Sequence, residues 1–259
     1  MRIAVAGATG RMGRCVLDLA GKDRRFEIVS AITVGNDPRA GGCIRVGDHS
    51  VELTTKLESP CDALIDFTIA GATAYLLAQC EHLQVPMIIG ATGHNAEQLA
   101  RIQQGAHLIP IVKACNFSSG IQAILDIVPS LVHSLGVGYD IEVVETHHRN
   151  KIDAPSGTAL TIVEQLLDAT GKSGRNVVFG RHGEMGVRPE GQIAVHAIRL
   201  GDQFGTHEIH FSGHGETITI RHTAHSRETF AAGALRAAAW IEGKSAGFYT
   251  MRDVLRQAD

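Results

Sequence analysis

Seven residues into the chain, Gly7-Ala8-Thr9-Gly10-Arg11-Met12-Gly13 follows an apolar stretch at 2–6 and precedes a helical stretch at 14–20. A G-x-x-G-x-x-G run in that setting leaves few folds open. Its first glycine permits a tight turn, Gly10 lets a pyrophosphate approach the backbone, and Gly13 lets the helix pack closely on the strand. Arg11 adds a cation where the phosphates would lie. On its own the glycine pattern reads as a plain turn; its place between a strand and a helix makes it informative.

Three more apolar stretches, residues 27–32, 63–67 and 86–89, read as strands, with helical patterns at 71–83 and 95–104 between the later ones. Strands alternating with helices predict a Rossmann-like, doubly wound parallel sheet of the α/β class. Ligands of such sheets bind at the carboxyl ends of the strands. Small and polar residues gather at those ends: Asp66, Phe67 and Thr68; Gly90, Ala91, Thr92 and Gly93; Asn116, Phe117, Ser118 and Ser119. Each group alone reads as a turn; together they predict one crevice. A dinucleotide fold often ends its second strand in an acid for a ribose hydroxyl or an Arg for a ribose phosphate. Here that end is Ile32, Thr33, Val34 and Gly35, which supplies neither. Asp37 and Arg39 follow and suit either purpose, so the choice between NADH and NADPH stays open.

The chain has 259 residues, 44% of them hydrophobic and 20% charged, with a net charge of −3. That length holds one large or two modest domains. The charge leaves no basic footprint for nucleic acid, and no apolar run reaches the length of a membrane span. The first apolar run breaks at Gly7 without a cleavage-site pattern, so it reads as a strand and the protein as cytoplasmic. Five cysteines (Cys15, Cys43, Cys61, Cys80 and Cys115) include no CxxC pair. Reduced structural thiols are therefore expected. Cys115 alone sits near suspected chemistry, and by itself reads as a small buried apolar side chain.

Past residue 140 the pattern changes. Residues 193–200, 207–212 and 217–222 alternate apolar and polar, which suggests antiparallel strands in a mostly open mixed sheet, and a helix follows at Glu228–Ile241. His207, His210, His214, His222 and His225 superficially resemble metal ligands. They lack close pairing and carboxylate company, so no metal is expected.

Between these halves runs Glu142-Val-Val-Glu-Thr-His-His-Arg-Asn-Lys-Ile-Asp-Ala-Pro-Ser-Gly-Thr-Ala159. A strand at 140–144 delivers His147, His148 and Lys151 onto a polar loop, and Pro155 and Ser156 open a helix near Gly157. First-turn amides and the positive dipole end of a helix attract carboxylate or phosphate. Cations and a helix start at one point predict a pocket for a small polyanion with proton donors beside it.

This run matches without a gap the signature E-[IV]-x-E-x-H-x-x-x-K-x-D-x-P-S-G-T-A, and the chain resembles the 4-hydroxy-tetrahydrodipicolinate reductase (dihydrodipicolinate reductase) family over essentially its full length. The turn at 7–13, Asp66-Phe67-Thr68, Asn116-Phe117-Ser118 and the ending Met251-Arg-Asp-Val-Leu255 also look like that family. The resemblance implies a homotetramer in lysine and diaminopimelate synthesis. It further implies a dinucleotide-binding domain at 1–117 and 226–259, and an α+β substrate-binding and tetramerisation domain at 118–225. His147 and Lys151 align with the proton-transferring residues, and His148, Ser156, Gly157 and Thr158 with the binding of a small dicarboxylate. Residues 7–13, Gly90, Ala91, Thr92, Ala114, Cys115, Asn116 and Phe117 correspond to contacts with NADPH or NADH, and Thr33, Val34, Phe67 and Thr68 join them at the strand ends. Two departures bear on cofactor choice: Ala91 removes a hydroxyl from a Gly-Thr-Thr-Gly turn, and the second strand lacks the usual Glu-Arg pair. The competing readings are an NAD(P)-dependent dehydrogenase of another small dicarboxylate or imine, and a nucleotide-binding sensor without catalysis.

Overall fold

The computed structural model describes residues 1–58 and 60–256. The chain opens with β1 (Arg2–Ala6), α1 (Arg11–Ala20), β2 (Glu27–Ile32), β3 (Cys43–Val46), β4 (His49–Thr54) and β5 (Ala63–Asp66). It continues through α2 (Ala70–Leu83), β6 (Met87–Ile89), α3 (Ala96–Gly105) and β7 (Pro110–Lys113), then α4 (Ser119–Leu135), β8 (Asp140–His147) and α5 (Gly157–Thr170). The remainder is β9 (Val177–Phe179), β10 (Ile193–Arg199), β11 (Thr206–Gly213), β12 (Glu216–Thr223), α6 (Glu228–Ile241), β13 (Gly247–Tyr249) and α7 (Met251–Arg256). Two compact units result: Met1–Ser119 together with the segment from Arg227, and Gly120–Ser226.

The first unit holds an eight-stranded sheet in the order β13-β7-β6-β5-β1-β2-β4-β3, parallel except for the β3–β4 hairpin. Side chains of β1 alternate between its two faces. Ile3 and Val5 join the core under α1 and α6, while Ala4 and Ala6 join the core under α2 and α3. A strand stretch buried on both faces favours apolar side chains, which is why residues 3–6, 63–65 and 87–89 read as hydrophobic runs. β2 and β5 flank β1 on opposite sides, so the chain reverses direction across the sheet at β1. That reversal opens the crevice where such folds bind ligands.

The second unit is a five-stranded sheet, β12-β11-β8-β10-β9. One face (Ile141, Val143, Ile193, Val195, Ile209 and Phe211) packs on α4 and α5 through Ile124, Val128, Ile162 and Leu166. The sheet corrects one sequence expectation. β10 runs parallel to both β8 and β9, and only β11 is antiparallel to β8 and β12. Alternation marks a half-covered strand whatever its direction, so periodicity alone does not fix the pairing. β8 also runs on to His147, three residues past the expected end, and places that imidazole on a strand instead of a loop. Among the described residues, no helix is long and apolar enough to cross a membrane.

Candidate active site

In the second unit, the last three residues of β8 build the centre of the site. Glu145 and His147 are two apart on a strand and so share a face. Glu145 is fully buried, and its carboxylate accepts four hydrogen bonds. Oε2 lies 2.6 Å from His147 Nδ1 and takes Arg199 Nη1 at 2.9 Å; Oε1 takes Arg199 Nη2 at 2.7 Å and the Ser156 amide at 3.0 Å. Burial by itself would raise this carboxyl, but the bonds from His147 and Arg199 outweigh it and hold the pKa down to about 2. Arg199 also donates to the Asp153 carbonyl at 2.7 Å, fastening the loop to the end of β10.

That loop is pinned by backbone as well. The His148 and Arg149 amides donate to the carbonyls of Gln203 and Gly201. Lys151 Nζ reaches both oxygens of Asp153 at 2.8 Å, and its side chain is 21% exposed. Ala154–Pro155 is a cis peptide, and Ser156 then caps α5, its Oγ accepting the Ala159 amide at 3.2 Å. Gly157 and the buried Thr158 form the first turn, where a helix presents amides to an anion. Thus His147, His148, Lys151, Ser156, Gly157 and Thr158 fall on one strand end, one loop and one helix start.

Sequence reasoning missed three participants: Glu145, Arg199 and His207. Glu145 stood inside the signature with the strand period toward His147, a signal available but unused. His207 looked like one of several scattered histidines. It is buried, its Nε2 lies 3.1 Å from Ser156 Oγ, and its ring meets that of His147 edge-on at 5.2 Å. Burial, then the neighbouring His147, depresses its pKa to about 3. Its sign in stability is fixed. Between about 3 and the unfolded value of 6.5 the unfolded chain binds the proton and the native chain does not, so stability rises with pH across that window. Glu145, with a folded value of about 2, adds the same sign below the ordinary glutamate value of 4.5. Urea midpoints should therefore fall as pH drops from about 6.5 toward 3, with a flatter profile in His207→Asn. The other sheet histidines serve elsewhere. His196 Nε2 donates to the Glu142 carboxylate at 2.8 Å, and His210 bonds Thr219 at 3.0 Å. Among the described residues no group of His, Cys, Asp or Glu is placed to hold a metal ion.

In the first unit, Gly7 has φ +77°, and a Cβ there would lie 2.6 Å from the Phe67 carbonyl oxygen. A Cβ on Gly13 would lie 2.1 Å from the Gly7 oxygen. The turn and α1 are therefore in backbone contact. α1 starts at Arg11, three residues earlier than expected, with no side-chain cap on Gly10 and no acid in its first turn. Arg11 is exposed, Met12 half-buried and Ala8 buried. Thr9 Oγ1 meets Thr33 Oγ1 at 2.9 Å, and Thr33 donates to Asp37 Oδ2 at 3.0 Å, beside the exposed Val34. Asp37 and Arg39 are joined in an ion pair at 2.8 Å, and the arginine's bonds hold the Asp37 carboxyl far below the usual range.

The strand-end loops carry the rest. Thr68 and Thr73 both bond the buried Asp66, whose pKa is raised by burial against those hydrogen bonds. Phe67 and Phe117 stack edge-on at 5.9 Å, and a Cβ on Gly90 would lie 2.4 Å from the Phe67 ring. Ala91 is buried and Thr92 exposed; Ala114 is half-buried, and Asn116 Oδ1 accepts the Ser118 amide at 2.8 Å. Cys115 is exposed, contrary to the buried side chain its residue type suggested, because it follows β7 on a loop and not within the sheet. An uncapped, acid-free helix start beside Gly7 and Gly13, neither of which has room for a side chain, fits the pyrophosphate of a dinucleotide.

A dinucleotide cradle in one unit and an anion-binding helix start with proton-carrying side chains in the other define a nucleotide-dependent oxidoreductase. The profile described as "Dihydrodipicolinate reductase, N-terminus" matches residues 1–117, and that described as "Dihydrodipicolinate reductase, C-terminus" matches 120–255. The chain belongs to the dihydrodipicolinate reductase family, NAD(P)H-dependent enzymes of lysine and diaminopimelate biosynthesis. It is 40% identical over 266 residues to the 4-hydroxy-tetrahydrodipicolinate reductase of Myxococcus xanthus, covering 98% of this chain and 97% of that one. Identity to the Pseudomonas fluorescens enzyme of the same name is 42%, with 98% of each chain covered. The fold is similar to that of dipicolinate-bound dihydrodipicolinate reductase from Paenisporosarcina sp. TG-14, with a TM-score of 0.76 at 21% identity, covering 98% and 99% of the two chains.

Proposed function

We propose that the chain reduces 4-hydroxy-tetrahydrodipicolinate to tetrahydrodipicolinate, with NAD(P)H and a proton consumed and NAD(P)⁺ and water released. The observation that carries the assignment of roles is the joining of His147, Arg199 and the Ser156 amide on one buried carboxylate, with Lys151 on the loop they hold. When bound, the reduced nicotinamide supplies the hydride. The unit that starts at Met1 holds it, through residues 7–13, Thr33, Val34, Phe67, Thr68, Gly90, Ala91, Thr92 and the loop from Ala114 to Phe117. The other unit holds the dicarboxylate: the first-turn amides of Gly157 and Thr158 take one carboxylate, with His148 and Ser156 beside it. Reduction leaves an electron-rich, enamine-like ring, and Lys151 gives it a proton from Nζ while His147 takes part in proton transfer or orients the ring. The uncovered face of the second unit's sheet is the surface we assign to assembly of a homotetramer in the cytoplasm.

The test follows oxidation of reduced nicotinamide while an aldol-type synthase supplies fresh substrate. Turnover is expected with wild type and a large loss of kcat with His147→Ala. Cofactor binding without any turnover would favour a sensor, and turnover only with another imine or dicarboxylate would favour a different dehydrogenase. The same preparation addresses cofactor choice. Asp37 and Arg39 are paired with each other, so the acid's pull on a ribose hydroxyl and the arginine's pull on a ribose phosphate are both tempered. Calorimetric Kd values for NADH and NADPH should lie within about tenfold, and Arg39→Ala should weaken NADPH by about tenfold while sparing NADH.

A further inference from the structure

Among the described residues Glu145 is the one buried acid of the second unit, yet no step of the reaction as described gives it a role of its own. It is fully buried, and each oxygen accepts two donors. Two of those donors come from Arg199 and one from a backbone amide, none of which can ever become an acceptor. The fourth is His147 Nδ1. A carboxylate whose lone pairs are met by a guanidinium and an amide has no proton to give, so the imidazole must donate and Nδ1 must carry the hydrogen. The other nitrogen, Nε2, is then the atom presented outward. At that edge stands Gly205, with φ +145°, where a Cβ would lie only 2.9 Å from Nε2. Any side chain at 205 would crowd the nitrogen that Glu145 leaves available.

We propose that Glu145 is a positioning residue that locks His147 in its Nδ1–H tautomer and aims Nε2 at the substrate, with Arg199 holding Glu145 in place. It rests on the reading that His147 works in the reaction. The geometry makes a particular substitution informative. In Glu145→Gln one oxygen becomes an NH₂ donor facing two existing donors. At the Oε1 position it would oppose the Ser156 amide and Arg199, neither of which can adjust. At the Oε2 position it opposes Arg199 and His147, and the imidazole alone can respond, by surrendering its Nδ1 proton and moving it to Nε2. Glutamine is therefore expected to rotate its NH₂ toward His147 and invert the tautomer, while the Ser156 bond survives.

The experiment uses full-length protein with ¹⁵N-labelled histidine, whose imidazole shifts report which nitrogen is protonated, the His147 signals being assigned by their loss in His147→Ala. Wild type should show a protonated Nδ1, and Glu145→Gln a protonated Nε2 with kcat lowered about 10–100-fold and cofactor Kd unchanged. A bare Nδ1 in wild type overturns the proposal, and that measurement needs no variant to fold. A folded Glu145→Gln that keeps the wild-type tautomer, or inverts it with kcat within twofold, overturns it too. A purely structural role would lower the melting temperature and leave the tautomer alone. If His147→Ala turns over normally, the role of His147 in the reaction fails, whereas the tautomer lock is still decided by the spectra.

Discussion

Lys151→Ala is expected to cost 10²- to 10⁴-fold in kcat, the usual contribution of a positioned general acid, while cofactor affinity stays within about twofold. The fold should survive. The ammonium's bonds are to Asp153, two residues along the same loop, and that carboxylate is 54% exposed. Such a pair contributes about 0–1 kcal/mol. The loop itself is held by the backbone of His148 and Arg149 and by Arg199 on the Asp153 carbonyl, none of which involves the lysine side chain. Lys151→Arg separates charge from proton donation. A guanidinium still attracts a carboxylate but keeps its proton. KM should therefore stay near wild type while kcat remains low. Pre-steady-state and steady-state turnover with both cofactors measure the split, and wild-type kcat in either variant would remove Lys151 from the proton-donor role.

Asp153 gives this expectation a second edge. In the structure it holds Lys151 as a counterion, a place that a dicarboxylate would contest. The pairing shows how far the sequence could lead. The signature run was legible as a strand end, a short loop and a capped helix start, because these are local features with local signals. Ser156 on the N-cap and Gly157 at the first helical position lie where the sequence puts them. The glycine turn was legible for the same reason, since its three glycines act within seven residues. What stayed hidden depends on chain far away in sequence. Arg199 and His207 reach Glu145 and Ser156 from β10 and β11, and only the sheet register brings them there. The parallel pairing of β10 was misjudged because alternation reports a covered face and not a direction. β3, β7, β9 and β13 are three or four residues long, too short to show any period, and Pro129 interrupts the pattern of α4.

Gly13→Ala should be the most damaging single methyl in the dinucleotide cradle. The added Cβ would sit 2.1 Å from the Gly7 oxygen, 2.5 Å from its carbonyl carbon and 2.9 Å from the Ala8 nitrogen. All three are backbone atoms, so no side chain can swing aside, and α1 must lift from the turn. A loss of about 3 kcal/mol or more in unfolding free energy is expected, toward the upper end of overpacking effects. Cofactor Kd should rise by about 100-fold or more, because the first-turn amides of α1, the proposed phosphate donors, would shift with the helix. Gly10→Ala provides the contrast. Its Cβ would approach only the Gly7 oxygen, at 3.1 Å, and its φ of −82° suits any residue. Stability should change by less than about 1 kcal/mol, yet affinity should still drop, since the methyl occupies the face where the pyrophosphate approaches. Urea unfolding and calorimetric titration on both variants distinguish packing from binding. If Gly13→Ala keeps both its unfolding midpoint and its cofactor affinity, the turn and helix are not in the contact that makes this cradle.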